Sequence, residues 1–290
     1  MTRSRATAIG FVAVLLWSVL ALLTVLTAPV PPFLLNALTF GIGGLVGLVW
    51  IAATGGAGRL RGLSPGVLLF GIAGLFGYHA LYFSALRLAP AAEAGLISYL
   101  WPLFIVLLSG LLPGERLTRA HVAGALLAFA GAALIVLSRG GGDMAPGAVL
   151  GLALAFLCAV TWAVYSVGSR RFGTAPTEAV ALFCIATALL SVPFHLMLEE
   201  SLWPQGAIGW GAVVALGLGP VGLAFYVWDI GMKRGDIQLL GVASYAAPLL
   251  STLALVLAGV AQATPMLALA AALITGGALL AARAGQGSKR

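Results

Sequence analysis

Apolar residues run along this chain in long continuous blocks separated by short clusters of proline, glycine and arginine. The blocks occupy residues 6–27, 32–53, 65–87, 91–112, 119–138, 147–169, 177–198, 206–232, 237–260 and 264–283. A helix rising 1.5 Å per residue needs about 20 apolar residues to cross a bilayer, and each block has that length. The pattern therefore predicts ten transmembrane helices. Pro29, Pro31 and Pro32, the stretches 59–65, 113–119 and 170–176, and Gly140, Gly141 and Gly142 punctuate it as turn signals. A membrane β-barrel would instead show about ten residues of alternating polarity per strand, and runs such as 123–137 do not alternate. Arg3 and Arg5 ahead of the first block resemble a secretory signal. The block has span length and no small-x-small site precedes Pro29, so it is expected to stay as a helix.

Composition sharpens this picture. Of 290 residues, 61% are hydrophobic and 8% charged, against about 25% charged in soluble domains. The mean hydropathy of +1.10 applies to most of the length and leaves no room for a soluble domain. Cys158 and Cys184 sit inside apolar runs, which suits buried core residues and supports neither a disulfide framework nor a metal site.

The net charge of +7 would suit nucleic acid, but its distribution follows membrane topology. With the N-terminus in the cytoplasm, Arg3, Arg5, Arg59, Arg61, Arg116, Arg119, Arg170, Arg171, Lys233, Arg234, Arg283, Lys289 and Arg290 lie inside, and only Arg87 and Arg139 lie outside. Adding or dropping one helix would scatter these thirteen to both faces, so the bias supports ten spans. No nucleic-acid partner is expected.

The chain also repeats itself. Ser98-Tyr99-Leu100-Trp101-Pro102 in the fourth block returns as Ser244-Tyr245-Ala246-Ala247-Pro248 in the ninth, a shift of 146 residues. The same shift relates Arg87 to Lys233 and Gly131 to Gly277, and a shift of 145 relates Trp17 to Trp162. Two halves with an odd number of helices must enter the membrane from opposite faces, as in alternating-access transporters. The expected fold is an all-α integral membrane protein: ten transmembrane helices in two inverted five-helix repeats, residues 1–140 and 141–290, with both termini cytoplasmic.

Tyr99 and Tyr245 each fall roughly 12 Å from a helix end, near the midplane. Each precedes a proline by three residues, and Pro102 and Pro248 should bend their helices, which also suits tolerated packing kinks. Tyr78, His79 and Tyr82 share one face of the third helix. An intramembrane histidine faces the bundle interior or a water-filled cavity; a packing hydrogen bond is the alternative, and a metal role lacks a second ligand. Trp17, Trp101, Trp162 and Tyr165 lie within spans, as core or as a lining for a planar or cationic substrate. Trp203, with Glu199 and Glu200, fits an interfacial belt, and His195 is expected to contact solvent. Glu93 and Asp229 are expected to pair with Arg87 and Arg234, with proton coupling as the alternative, and Glu115 to anchor a loop. No phosphate-binding loop occurs, so no ATPase subunit or cofactor is implied.

Together, the ten blocks, Trp17 with its counterpart Trp162, the stretch Ala-Glu-Ala-Gly-Leu-Ile-Ser-Tyr-Leu-Trp-Pro ending at Pro102, and the Pro-Gly-Glu turn ending at Glu115 resemble the EamA-type branch of the drug/metabolite transporter superfamily. The resemblance spans essentially the whole chain. Within that branch, Tyr78-His79-Ala80-Leu81-Tyr82-Phe83 with Tyr99 and Trp101 is most similar to exporters of aromatic amino acids. It implies a multi-pass bacterial inner-membrane exporter with a central cavity, gated by bending at Pro102 and Pro248. Tyr78, His79, Tyr82, Tyr99 and Trp101 would line the route, joined by Trp17, Trp162 and Tyr245. The halves differ, since Trp101 is matched by Ala247 and Glu115 by Ala261. A multidrug or organic-cation exporter on the same fold, a membrane-embedded enzyme and a structural membrane protein are the rival readings.

Overall fold

A computed structural model of the chain describes residues 1–137, 146–257 and 262–287. Arg139, Gly140, Gly141, Gly142, Ala261, Lys289, Arg290 and the expected boundary between residues 140 and 141 lie outside the described residues. All regular structure among the described residues is helical: α1 (Arg3–Ser18), α2 (Leu20–Leu26), α3 (Pro32–Ala53), α4 (Pro65–Leu88), α5 (Ala91–Ser98), α6 (Trp101–Ser109), α7 (Arg119–Leu137), α8 (Ala148–Arg171), α9 (Ala179–Leu198), α10 (Gly206–Leu218), α11 (Ala224–Arg234), α12 (Ile237–Ala243), α13 (Ala246–Leu257) and α14 (Pro265–Gly287).

Local chemistry sets several of these boundaries. Prolines open α3, α4 and α14, where the missing N–H costs nothing. Ser64 caps α4 by accepting from the Val67 N–H at 3.3 Å, and Asp236 caps α12 by accepting from Leu239 at 3.0 Å.

Among the described residues seven helices are long and apolar enough to cross a membrane, including Arg3–Leu26 and Gly206–Arg234, and three shorter apolar helices cover Glu93–Ser109, Arg119–Ile135 and Ile237–Leu253. Large aliphatic side chains such as Leu189, Leu196, Met197 and Val149 cover the outer surface. In water such a surface would aggregate; in lipid it is the ordinary exterior.

The blocks are less uniform than their composition suggests. The first breaks at Val19 between α1 and α2, beside Ser18, whose hydroxyl donates back to Leu15 O at 2.6 Å. Such a back-bond competes with the backbone ladder and bends helices. The eighth carries a π-turn, Gly219–Leu223, between α10 and α11. The fourth breaks between Ser98 and Trp101 and the ninth between Ala243 and Ala246, next to the repeated proline.

The most extensive helix pairings are α7 with α14, α3 with α9, α4 with α8 and α1 with α11. Glycines make some of these possible. A Cβ on Gly10 would meet Gly231 Cα at 2.8 Å, so α1 and α11 touch backbone to backbone.

Candidate functional site

A cavity of about 750 Å³ lies between the helices and extends to the end of the bundle opposite the N-terminus, where Thr27, Ala28, Pro29 and Val30 line it. Its deep end is aromatic. Trp17 from α1, Trp101 from α6 and Trp162 from α8 line it with Phe225 from α11. Trp17 sits 6.0 Å from Trp101 and 5.9 Å from Trp162, ring centre to ring centre, both edge to face. Trp228, buried beneath, contacts Trp17 at 5.1 Å and donates its indole N–H to Ser166 Oγ at 3.1 Å. Edge-to-face packing favours such ring clusters by about 0.5 to 1.5 kcal/mol per pair beyond burial.

One wall belongs to α4. Tyr78 and Tyr82, one turn apart, lie nearly parallel at 6.1 Å, and Tyr78 also touches Trp162 at 5.1 Å. His79 Nδ1 lies 2.7 Å from Leu75 O. A carbonyl only accepts, so Nδ1 carries a proton, and in the neutral ring Nε2 is an acceptor. The imidazole is held edge to face on Phe40 at 4.8 Å, and Phe40 stacks on Phe225 at 5.3 Å. Tyr99, at the break between α5 and α6, completes this side.

Tyr78, His79, Tyr82, Tyr99, Trp17, Trp101 and Trp162 thus all line one cavity. Tyr245, expected beside them, is not among the residues that line it. It is fully buried, packs on Phe129, and its hydroxyl accepts from the Leu103 N–H at 3.1 Å. The reason is the break itself: interrupting the helix at Tyr99 and Leu100 leaves that N–H without a carbonyl one turn back. Pro102 and Pro248 also lie off the cavity wall, one at the start of α6 and one within α13.

Reading the sequence missed Asn36, Thr39, Phe40 and Phe225, which line or back the cavity. Asn36 had a legible signal, since an amide inside an apolar span is costly and faces protein or water. Ser98 was seen only as part of the repeat; the residue lines the cavity, while its Oγ is fully enclosed and has no hydrogen-bond partner among the described residues.

The N-terminal end of the bundle is closed by charge. Glu115 pairs with Arg170 and, at 3.2 Å, with Arg3, which also reaches Asp236 at 3.2 Å. Arg170 Nε adds a bond to Met232 O at 2.7 Å. This cluster joins α1, the loop after α6, the end of α8 and the turn before α12, so Glu115 is the loop anchor expected of it.

Other pairings differ from expectation. Arg87 binds Glu199 at 2.8 Å rather than Glu93, whose Oε2 has no partner among the described residues. Asp229 binds Lys233 at 2.9 Å and accepts from Thr177 at 2.7 Å, rather than meeting Arg234. His195 is buried, not solvent-facing, with Glu199 at 2.9 Å and Ser201 at 2.8 Å. The backbone N–H groups of Phe33 and Leu34 bring Glu199 inward as a cap for α3, and Arg87 and His195 follow the carboxylate. Among the described residues no three His, Cys, Asp or Glu side chains group as metal ligands.

The profile of the EamA-like transporter family matches residues 5–137 and again 149–283. The chain is 62% identical over 289 residues to the aromatic amino acid exporter YddG of Ancylobacter novellus, covering 97% of this chain and 98% of that protein. It is 28% identical to the aromatic amino acid exporter YddG of Salmonella typhimurium, across 87% of this chain and 88% of the relative. A biotin transporter of Escherichia coli is also 28% identical, over 70% of this chain and 67% of that one. A solved crystal structure, 60% identical, superposes with a TM-score of 0.92 and covers 97% of this chain and 98% of its own.

Proposed function

This chain belongs to the EamA-like transporter family, and from that premise we propose that it exports aromatic and other apolar amino acids across the bacterial inner membrane by alternating access. The observation that carries this reading is the cavity whose deep end is built of Trp17, Trp101 and Trp162 beneath His79 and the tyrosines. Indole faces and edges match a planar apolar side chain. Hydroxyls and an imidazole match the zwitterion. The named activity of a relative 62% identical over nearly its full length points the same way.

We read the seven long apolar helices and the three shorter ones as ten spans in two inverted halves, residues 1–140 and 141–290. Numbering the spans in chain order, α1 on α11 pairs the first with the eighth, and α4 on α8 pairs the third with the sixth. These exchange when each half is renumbered onto the other, and the pairings α3 with α9 and α7 with α14 map onto themselves. A pseudo-two-fold relation requires that pattern. The arginine distribution supports cytoplasmic termini, so the cavity mouth would face outside and the Arg3–Glu115–Arg170–Asp236 cluster would seal the inner end. Bending at the breaks beside Pro102 and Pro248 would then exchange the open and closed ends. Substrate gradients suffice as a driving force, and no cofactor or ATPase subunit enters the scheme.

A multidrug reading requires an organic cation in the same cavity. No Asp or Glu lines it among the described residues, which leaves such a ligand only ring faces and neutral acceptors. The test is uptake into proteoliposomes of labelled phenylalanine, tryptophan, methionine and a quaternary ammonium dye, with and without an imposed pH gradient. Saturable amino-acid uptake without the gradient is expected; uptake of the dye alone overturns the proposal.

A further inference from the structure

One side of the cavity is formed by α2 and α3, and its polar side chains share one chemical property. Thr24, Thr27, Asn36 and Thr39 line the cavity there. Each threonine spends its hydroxyl hydrogen on its own helix: Thr24 donates to Leu20 O at 2.8 Å, Thr27 to Thr24 O at 2.7 Å and Thr39 to Leu35 O at 2.8 Å. A hydroxyl so engaged offers only lone pairs elsewhere.

Asn36 is oriented by a chain of two bonds. Its Nδ2 donates to Ser191 Oγ at 2.7 Å, and Ser191 donates in turn to Thr187 O at 2.8 Å. That leaves Asn36 Oδ1 accepting from no group among the described residues, while it is absent from the fully enclosed polar atoms that have no partner. Asn36 lines the cavity with its amide N–H already spent on Ser191, so what it has left to offer there is an acceptor. Asn36 and Thr39 are three residues apart, on one face of α3, directly before Phe40, which backs His79. Tyr78, Tyr82 and Tyr99, from α4 and the α5–α6 break, line the same cavity.

We propose that Asn36 and Thr39 form an ammonium subsite, which holds the substrate's amino group against α3 while its ring rests on the tryptophan floor and its carboxylate turns toward the tyrosines. This assignment rests on the export reading above and goes further by fixing the orientation of the zwitterion. An ammonium carries three donors and no acceptor, so a wall of lone pairs suits it and disfavours a carboxylate.

The test titrates the purified full-length protein with L-phenylalanine, phenethylamine, which lacks the carboxylate, and 3-phenylpropionate, which lacks the ammonium, following tryptophan fluorescence. Asn36→Leu is expected to weaken phenylalanine and phenethylamine about ten-fold and leave 3-phenylpropionate unchanged. Asn36→Asp keeps the side-chain volume, and is expected to bind phenethylamine at least as tightly as the parent while weakening 3-phenylpropionate. Equal losses for all three ligands in either variant, or none, overturn the subsite while leaving the export reading intact. A parent protein that binds none of the three overturns both.

Discussion

The indole N–H of Trp17 donates to the carbonyl of Pro220 at 3.1 Å, tying α1 to the π-turn that interrupts the eighth apolar block. A π-turn widens a helix and displaces carbonyls from the regular ladder, and such turns recur at functional sites. The same indole packs on Trp101, Trp162 and Trp228. Trp17 thus both lines the cavity and acts as a strut between α1 and the α10–α11 segment.

Replacing Trp17 with Phe keeps an aromatic surface and removes the donor. We expect a destabilisation of about 1 to 3 kcal/mol, measured by thermal unfolding in detergent, together with reduced export. Unchanged stability and flux would show that the bond to Pro220 contributes neither.

Tyr245→Phe separates a structural from a substrate-contacting role. The change leaves the Leu103 N–H without its acceptor in a buried site, which costs about 1 to 3 kcal/mol. We expect a lower unfolding temperature and slower transport with an unchanged Kd for phenylalanine. A weakened Kd at unchanged stability would return Tyr245 to the substrate route.

Glu115→Gln removes the charge that both Arg3 and Arg170 face at the closed end. Two guanidinium groups then lie close without their shared anion, and the closed arrangement loses its main tie. Spin labels placed at Arg5 and Arg116 are expected to show an added longer-distance population in this variant. A distance distribution identical to that of the parent would remove the cluster as a gate.

His79→Ala and Tyr99→Ala remove an acceptor and a phenol from the cavity wall while leaving the ion-pair cluster and the helix caps in place. Both are expected to lower phenylalanine flux at least ten-fold, with normal membrane insertion, measured by uptake and by the yield of inserted protein. Normal flux in both would take these positions out of the site.

Much of this was readable because a bilayer imposes a simple rule. Backbone polar groups in hydrocarbon must pair within their own segment, so apolar blocks become helices whatever their neighbours do, and arginines between them report orientation. The repeated Ser-Tyr-x-x-Pro motif located both helix breaks for the same reason, since proline removes a donor wherever it stands. Most of the aromatic residues that line the cavity, though not Phe225, were also visible, as large rings and one imidazole at depths where lipid offers them little.

Packing settled what remained. Tyr99 and Tyr245 occupy matching positions in the repeated motif, yet Tyr99 lines the cavity and Tyr245 closes a backbone gap, because the first motif lines the cavity with Ser98, Tyr99 and Trp101 and the second with Ala247 alone. The partner of Arg87 also depended on tertiary structure, since Glu199 is drawn to the start of α3 from a distant part of the chain, whereas Asp229 and His195 form ion pairs four residues further along with Lys233 and Glu199. Asn36 and Thr39 were plain in the sequence as polar residues within a span, but their meaning lay in which of their hydrogens were already spent. The hydrophobic pattern by itself determined the helices and the membrane; the hydrogen-bond partners that give each polar side chain its remaining chemistry exist only once the helices are packed.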